Sequence, residues 1–272
     1  MSEFQKVIKV VAICLGVFII VNIVGVVLAG ISIATKINYF TNNEEIQTFA
    51  QSYQGVERIE IDSVISSINI KQGDEYRVEA TNLKNKFSAT LQNGTLKIEE
   101  NRFLFFGKKR NEAITIYIPK ENNLNKLNID AGAGRIEISD ISVNNFDIDQ
   151  GAGIIEITNS KFNRTSIDGG AGEIKISACT LNDMDLNAGI GKITLQGAVT
   201  GNSKIECGIG EMNILLDGEE ADYNIRANKG IGNITINNNM QEADTVYGTG
   251  KNKIILDGGI GNITVDFSRN SK

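Results

Sequence analysis

The sequence predicts an all-β protein: a β-solenoid of about 19 residues per winding, preceded by one N-terminal transmembrane helix. Three observations carry this. A Gly-x-Gly pair recurs at 19-residue steps, at Gly132/Gly134, Gly151/Gly153, Gly170/Gly172, Gly189/Gly191 and Gly208/Gly210, and returns with insertions at Gly230/Gly232 and Gly259/Gly261. Four and six residues after the first glycine, every copy is apolar, from Ile136 and Ile138 to Ile263 and Val265. Residues 10–34 form a 25-residue apolar run in which Asn22 is the only strongly polar member.

Apolar positions two apart are the period of a strand, one face in and one face out. Because the same position is apolar in each copy, the inward rows must stack from winding to winding. Ile129, Ile148, Ile167, Leu186 and Ile205, three residues before the glycines, extend this pattern to a second strand. Val143, Phe162 and Leu181 supply an apolar return segment. The glycines are read as structural turn residues between strands, with positive φ and no Cβ where the chain bends. Glu173, Lys192 and Glu211 alternate in sign at one outward position, as in-register stacking requires. At this period residues 56–267 correspond to roughly eleven windings.

The apolar run is long enough to cross a bilayer as a helix. Lys6 and Lys9 precede it, and Glu44 and Glu45 lie beyond Lys36. This bias predicts a cytoplasmic N-terminus and an extracytoplasmic C-terminal domain of a single-pass cell-membrane protein. A cleaved signal peptide would have a shorter apolar core, and Ile13 before Cys14 does not suit a lipoprotein signal. Segment 1–36 holds three lysines and one glutamate; the whole chain carries −6, so residues 37–272 carry −8. An acidic ectodomain speaks against nucleic acid as a partner.

The domain plan is then a tail and membrane helix at 1–36, a linker at 37–55, degenerate β windings at 56–120 and regular repeats at 121–272. Ile46, Phe49, Ala50 and Tyr53 fall at i, i+3, i+4 and i+7, with Asn42 and Glu45 as a capping box. They predict a short amphipathic helix over 43–53 that covers the first winding. A loop with Phe103, Phe105 and Phe106 beside Lys108, Lys109 and Arg110 is a candidate membrane-surface contact, or folds back on the solenoid flank. No capping helix follows the last repeat, so an open solenoid end predicts self-association.

Composition limits the chemistry. The chain has no histidine, so Ser/His and Cys/His pairs are absent. Cys14, Cys179 and Cys207 occupy unrelated positions, which opposes a disulfide framework or a zinc site. Outward positions before the glycine pairs hold Asp130, Asp147, Asp149, Asp168, Asp185 and Glu206. Asp130, Asp149 and Asp168 would form a column, a candidate Ca²⁺ site, although the calcium solenoid repeat places its Asp after the glycines. No other cofactor is implied. The acidic face admits three readings: solvated surface, a cation- or glycan-binding surface, or carbohydrate-active carboxylates. The last lacks the aromatic platform and cleft such enzymes use, so the chain is read as not an enzyme.

Val56–Ile61, Gly94–Ile98, the strand Ala113–Pro119 and the Gly-x-Gly-x-Ile-x-Ile units resemble the bacterial putative-adhesin domain family, a domain of unknown function built from β-strand repeats. The resemblance covers about residues 55–267. It implies one N-terminal span or signal, a solenoid outside the membrane, and in some members an association with Gram-positive envelope stress responses. It transfers no catalytic residue. The function expected is a cell-envelope scaffold, adhesin or interaction module whose protein or glycan partner the residues do not name.

Overall fold

The computed structural model describes residues 47–83, 87–100, 113–122 and 124–269. The predicted membrane helix and the loop containing Phe103 and Arg110 lie outside these residues. Among those described, none forms a helix long and apolar enough to cross a membrane. They are almost wholly strand.

β1 (Gln47–Tyr53), β2 (Arg58–Gly73), β3 (Tyr76–Leu83), β4 (Phe87–Gln92), β5 (Thr95–Glu100) and β6 (Ala113–Pro119) precede the regular repeats. β7 (Lys126–Ser139), β8 (Ser142–Thr158), β9 (Lys161–Asn182), β10 (Met184–Thr200) and β11 (Asn202–Glu219) are the regular windings. β12 (Tyr223–Ile231), β13 (Ile234–Ile236), β14 (Asn239–Gln241), β15 (Thr245–Tyr247), β16 (Asn252–Ile260) and β17 (Ile263–Arg269) follow.

β7 to β11 stack in parallel with residues 19 apart facing each other, as Leu127 faces Phe146, Phe146 faces Thr165 and Asp185 faces Lys204, except past a bulge in β9, where Gly197 faces Cys179. The inward rows are as the period requires. Ile136, Ile155, Ile174, Ile193 and Met212 form one buried row, and Ile129, Ile148, Ile167, Leu186 and Ile205 another. The return residues Val143, Phe162 and Leu181 are buried too, with Phe146 and Phe162 stacked at 4.2 Å between ring centroids. Full burial of each such side chain contributes roughly 1.5–3 kcal/mol. The rows therefore hold the stack, and parallel ladder bonds set its register.

The order of the levels departs from the order of the chain at both ends. β2 lies between β7 on one side and a winding made of β5 and β6 on the other. The outer edge of that winding is covered by antiparallel β4 on β5 and β3 on β6, with β1 on β3. The described residues of 56–120 thus form two windings and an antiparallel cover where degenerate coils were expected. The expected helix over 43–53 is a strand from Gln47 onward. Phe49 and Tyr53 are four apart, a spacing that puts them on one side of a helix and equally on one side of a strand. The open edge of β3 decides for the strand, because its unpaired peptide groups need partners.

At the other end the chain leaves β11 through a short 3-10 turn, Glu220–Asp222, and skips a level. β12 and β13 form the outer winding; β14 and β15 cover it as antiparallel strands. The chain then returns, and β16 and β17 fill the gap, parallel to β11 on one side and to β12 and β13 on the other. The last winding in sequence is therefore interior. Among the described residues the open end expected there is not found, because β16 and β17 are flanked on both sides. The roughly eleven windings expected from length are also too many, because β1, β3, β4, β14 and β15 serve as covers.

Candidate functional site

β7 to β11 bend at their glycine pairs without losing the ladder to the next level. The expectation of turn residues between strands needs correction here. Gly134, Gly153, Gly172, Gly191 and Gly210 lie inside the continuous strands β7 to β11, so the bend is a kink within a strand and not a loop that ends one. Gly232 and Gly261 alone interrupt a strand, in the two-residue breaks between β12 and β13 and between β16 and β17. The physical reason is that an in-register neighbour on each side keeps the peptide groups paired through the bend.

The two glycines of a pair also do different work. The second has positive φ in all seven pairs: +151° at Gly134, +138° at Gly153, +145° at Gly172, +153° at Gly191, +150° at Gly210, +138° at Gly232 and +143° at Gly261. The first glycines, Gly132, Gly151, Gly170, Gly189, Gly208, Gly230 and Gly259, do not, against the expectation for both. They are glycine because the next level leaves no room. A Cβ on Gly189 would lie 2.5 Å from the Gly170 carbonyl oxygen. The second glycines are closer still. A Cβ would meet the preceding level's oxygen at 1.9 Å on Gly153, 1.7 Å on Gly191 and 1.6 Å on Gly210. One on Gly232 would meet the Gly261 oxygen at 1.7 Å, and one on Gly261 the Gly210 oxygen at 1.5 Å. Both positions therefore form columns of bare backbone in close contact.

The residue between the glycines points outward. In β7, β8 and β9 it is Ala133, Ala152 and Ala171; in the next four levels it is isoleucine. Ile190 faces Ile209, Ile209 faces Ile260, and Ile260 faces Ile231. These four side chains are 58, 49, 50 and 68% exposed; the other exposed large apolar side chains among the described residues, Met240, Val246 and Ile255, lie outside this row. They form one apolar ridge along the stack, bounded on each side by a channel of glycine backbone. Its continuity depends on the inserted winding: without β16 in that level, Ile209 and Ile231 would be two levels apart. The repeat period treats this position as an unremarkable part of a turn and so misses the ridge. The signal is the change from alanine to isoleucine from Gly189 onward.

Parallel to the ridge, two residues before each first glycine, runs the acidic column. Asp130, Asp149 and Asp168 are brought into register, as the period predicts. The column reaches further than expected, to Asp62 and Glu99 at one end and through Asn187 and Glu206 to Asp257 at the other. Its carboxylates are about one strand spacing apart from level to level. Such a straight row does not converge on an ion, and among the described residues no three Asp, Glu, Cys or His groups are placed to hold a metal. The candidate Ca²⁺ column thus offers no cage.

Its ends are compensated. Lys97 lies 2.6 Å from Glu99. Lys204 lies 2.8 Å from Glu206 and 3.8 Å from Asp257, and its hydrogen bond to Glu206 holds its ammonium pKa above the ordinary range. Asn187 donates to Asp168 at 3.4 Å and Asn228 to Asp257 at 3.1 Å. Among the described residues Asp130 and Asp149 have no ion-pair partner. On the far side of the ridge, Lys192 and Glu211 meet at 3.9 Å, while Glu173 pairs with Lys175 at 3.1 Å on its own strand. Only part of the expected alternating ladder forms, and that flank carries no strong field.

Cys179 and Cys207 are buried, free thiols. Burial pushes both thiols above their ordinary pKa, so neither is a poised nucleophile.

A family model described as Toastrack DUF4097 matches residues 56–265. The chain belongs to this family. The match runs from just before β2 into β17, so of the described strands it leaves out only β1 and the end of β17. Among solved structures, a Bacteroides fragilis protein described as a putative adhesin shares 16% identity over 82% of this chain and 98% of its own, with a TM-score of 0.52. That likeness establishes a shared fold. A putative cell adhesion protein from Clostridium sporogenes is 11% identical over 82% of this chain and all of its own, at a TM-score of 0.36. A Parabacteroides distasonis protein described as a putative lipid binding protein is 15% identical over 84% of this chain and 98% of its own, at 0.38. No curated protein matches the sequence.

Proposed function

We propose that this protein is a non-catalytic interaction module of the cell envelope. It is a scaffold or adhesin-like rod displayed outside the membrane, held there by the apolar segment at 10–34, and serving an envelope stress response as the family resemblance implies. Its working surface is the glycine-bend face. The observation that carries this reading is the ridge of Ile190, Ile209, Ile260 and Ile231: four half-exposed isoleucines in register on a −6 chain. Burying such a ridge against a partner contributes on the order of 1 kcal/mol per side chain. Contiguous exposed apolar side chains rimmed by polar residues are the kind of surface that marks interaction sites.

The test places a photocrosslinking amino acid at position 209 or 260 of the full-length chain in living cells, with position 196, which lies on a different face, as reference. Discrete adducts from 209 and 260 and none from 196 are expected. Equal labelling from all three positions, or none, would refute the assignment of the working surface.

A further inference from the structure

We infer that the glycine-bend face receives a cationic amphipathic helix, lying along the stack with its apolar flank on the isoleucine ridge and its Lys/Arg flank on the acidic column. This rests on the proposed interaction role and adds the chemistry of the partner. The lateral dimension fits a helix. Ridge and acidic column are three residues apart along each winding, at most about 10 Å because the chain bends between them, and a helix with its side chains is about 10–12 Å across. The axial dimension fits as well. Levels repeat at about 4.8 Å and helical turns at about 5.4 Å, so over four levels the mismatch grows to only about 2 Å. Long basic side chains absorb that much.

The ridge runs along the bend, and its flanks are low where a helix must lie. The first and second glycines present no side chain beside the ridge, and their close stacking forbids one. Partner side chains therefore seat in the two bare channels. Ala133, Ala152 and Ala171 continue the path at low relief past Asp130, Asp149 and Asp168. From the level of Ala133 to that of Ile231 the path is about 29 Å long, the length of a helix of about 20 residues. Charge fixes the side on which the cations lie. Asp130 and Asp149 have no ion-pair partner among the described residues. The opposite flank instead closes its own pairs, Lys192 with Glu211 and Glu173 with Lys175. A second copy of this chain fits less well. A two-fold axis lying across the ridge would set acidic column against acidic column. An axis along it would set Glu206 near Glu211.

The experiment uses the full-length chain in nanodiscs of zwitterionic lipid, with empty nanodiscs as reference. The probe is a fluorescent 20-residue Leu/Lys helix, followed by anisotropy. Saturable binding in the micromolar range is expected over the empty discs. The double variant Ile209→Thr/Ile260→Thr keeps β-branching and loses at least tenfold in affinity. Asp130→Asn/Asp149→Asn/Asp168→Asn loses at least fivefold and flattens the salt dependence, and a Leu/Glu helix does not bind. Circular dichroism and melting curves of each variant confirm an intact fold. Equal binding of the Leu/Glu helix, or of the Leu/Lys helix to the triple Asn variant, would overturn the inference. Adducts between two copies of the chain at position 209 would overturn it in favour of self-assembly. If the crosslinks at 209 and 260 form in cells while the Leu/Lys helix fails to bind, the partner class is wrong and the face stands. If both fail, both fall.

Discussion

Alanine substitutions at Gly191, Gly189 and Gly169 should destabilise the protein in that order, and the spread is set by how near adjacent windings come. At Gly191 the added methyl would meet the Gly172 oxygen at 1.7 Å, in a backbone with φ of +153°. Real Cβ atoms essentially never come within 3.0 Å of such a neighbour, so the two levels must separate or the φ must change. The strained conformation costs about 1–3 kcal/mol. Losing two ladder hydrogen bonds adds about 1 kcal/mol each. The expected loss is about 3–5 kcal/mol. Gly189→Ala meets the Gly170 oxygen at 2.5 Å without positive φ, so a smaller shift suffices, at about 1–3 kcal/mol. At Gly169 the nearest atom is Ile174 Cδ1 at 3.0 Å, the end of a flexible side chain, and the neighbouring levels already carry Gln150 and Ala188 there. Gly169→Ala should change stability by less than about 1 kcal/mol, because restricting the unfolded chain offsets the small local shift. Urea unfolding followed by circular dichroism reads this directly. With a slope of about 2–3 kcal/mol/M, Gly191→Ala shifts the midpoint down by about 1–2 M. If Gly191→Ala and Gly169→Ala had the same midpoint, close approach would not be the reason for the glycine columns.

Three other outcomes are expected. Thr165 buries a hydroxyl that makes no hydrogen bond, so Thr165→Val should stabilise by about 1 kcal/mol, seen as a higher melting temperature; a lower one would show that the hydroxyl is in use. A chain ending at Gly250 removes β16 and β17, which both β11 and β12 use, so residues 223–236 should lose amide protection in hydrogen exchange along with the deleted part. Retained protection there would contradict the inserted level. Burial raises the pKa of Cys179, Cys207 and Tyr223, and each is favoured in its neutral form when folded. Their contribution is complete below the unfolded pKa and is lost as pH rises from about 9.0, the ordinary thiol value, through the raised folded values. The urea midpoint should therefore decline above about pH 9, and a midpoint that stayed level well into the alkaline range would refute this.

The period of 19 residues decided most of what lies within a winding. The rows through Ile155 and Ile157, the outward column of Asp130, Asp149 and Asp168, and the bare backbone at Gly170 and Gly172 all follow from strand alternation repeated at one spacing. They are local consequences, because a side chain's direction is set by its own strand and its neighbour by the period. The order of levels is not local. Every winding offers its neighbours the same aliphatic rows, so the pattern of β16 and β17 suits a place beside β11, beside β12, or at an open end. What selects the arrangement is the need to pair or cover each edge, and only the folded chain shows that β14 and β15 cover one end while β1, β3 and β4 cover the other. The division of labour within a glycine pair is also tertiary. Sequence marks Gly208 and Gly210 alike, and only the stack shows that one is held by contact alone and the other by contact and φ together. The same holds for Gln47–Tyr53, where one apolar spacing served helix and strand alike until the edge of β3 required a partner. The isoleucine ridge belongs to both accounts. Its residues stand in the sequence between paired glycines, but Ile209, Ile260 and Ile231 become neighbours only because the last winding is threaded into the gap between the two before it.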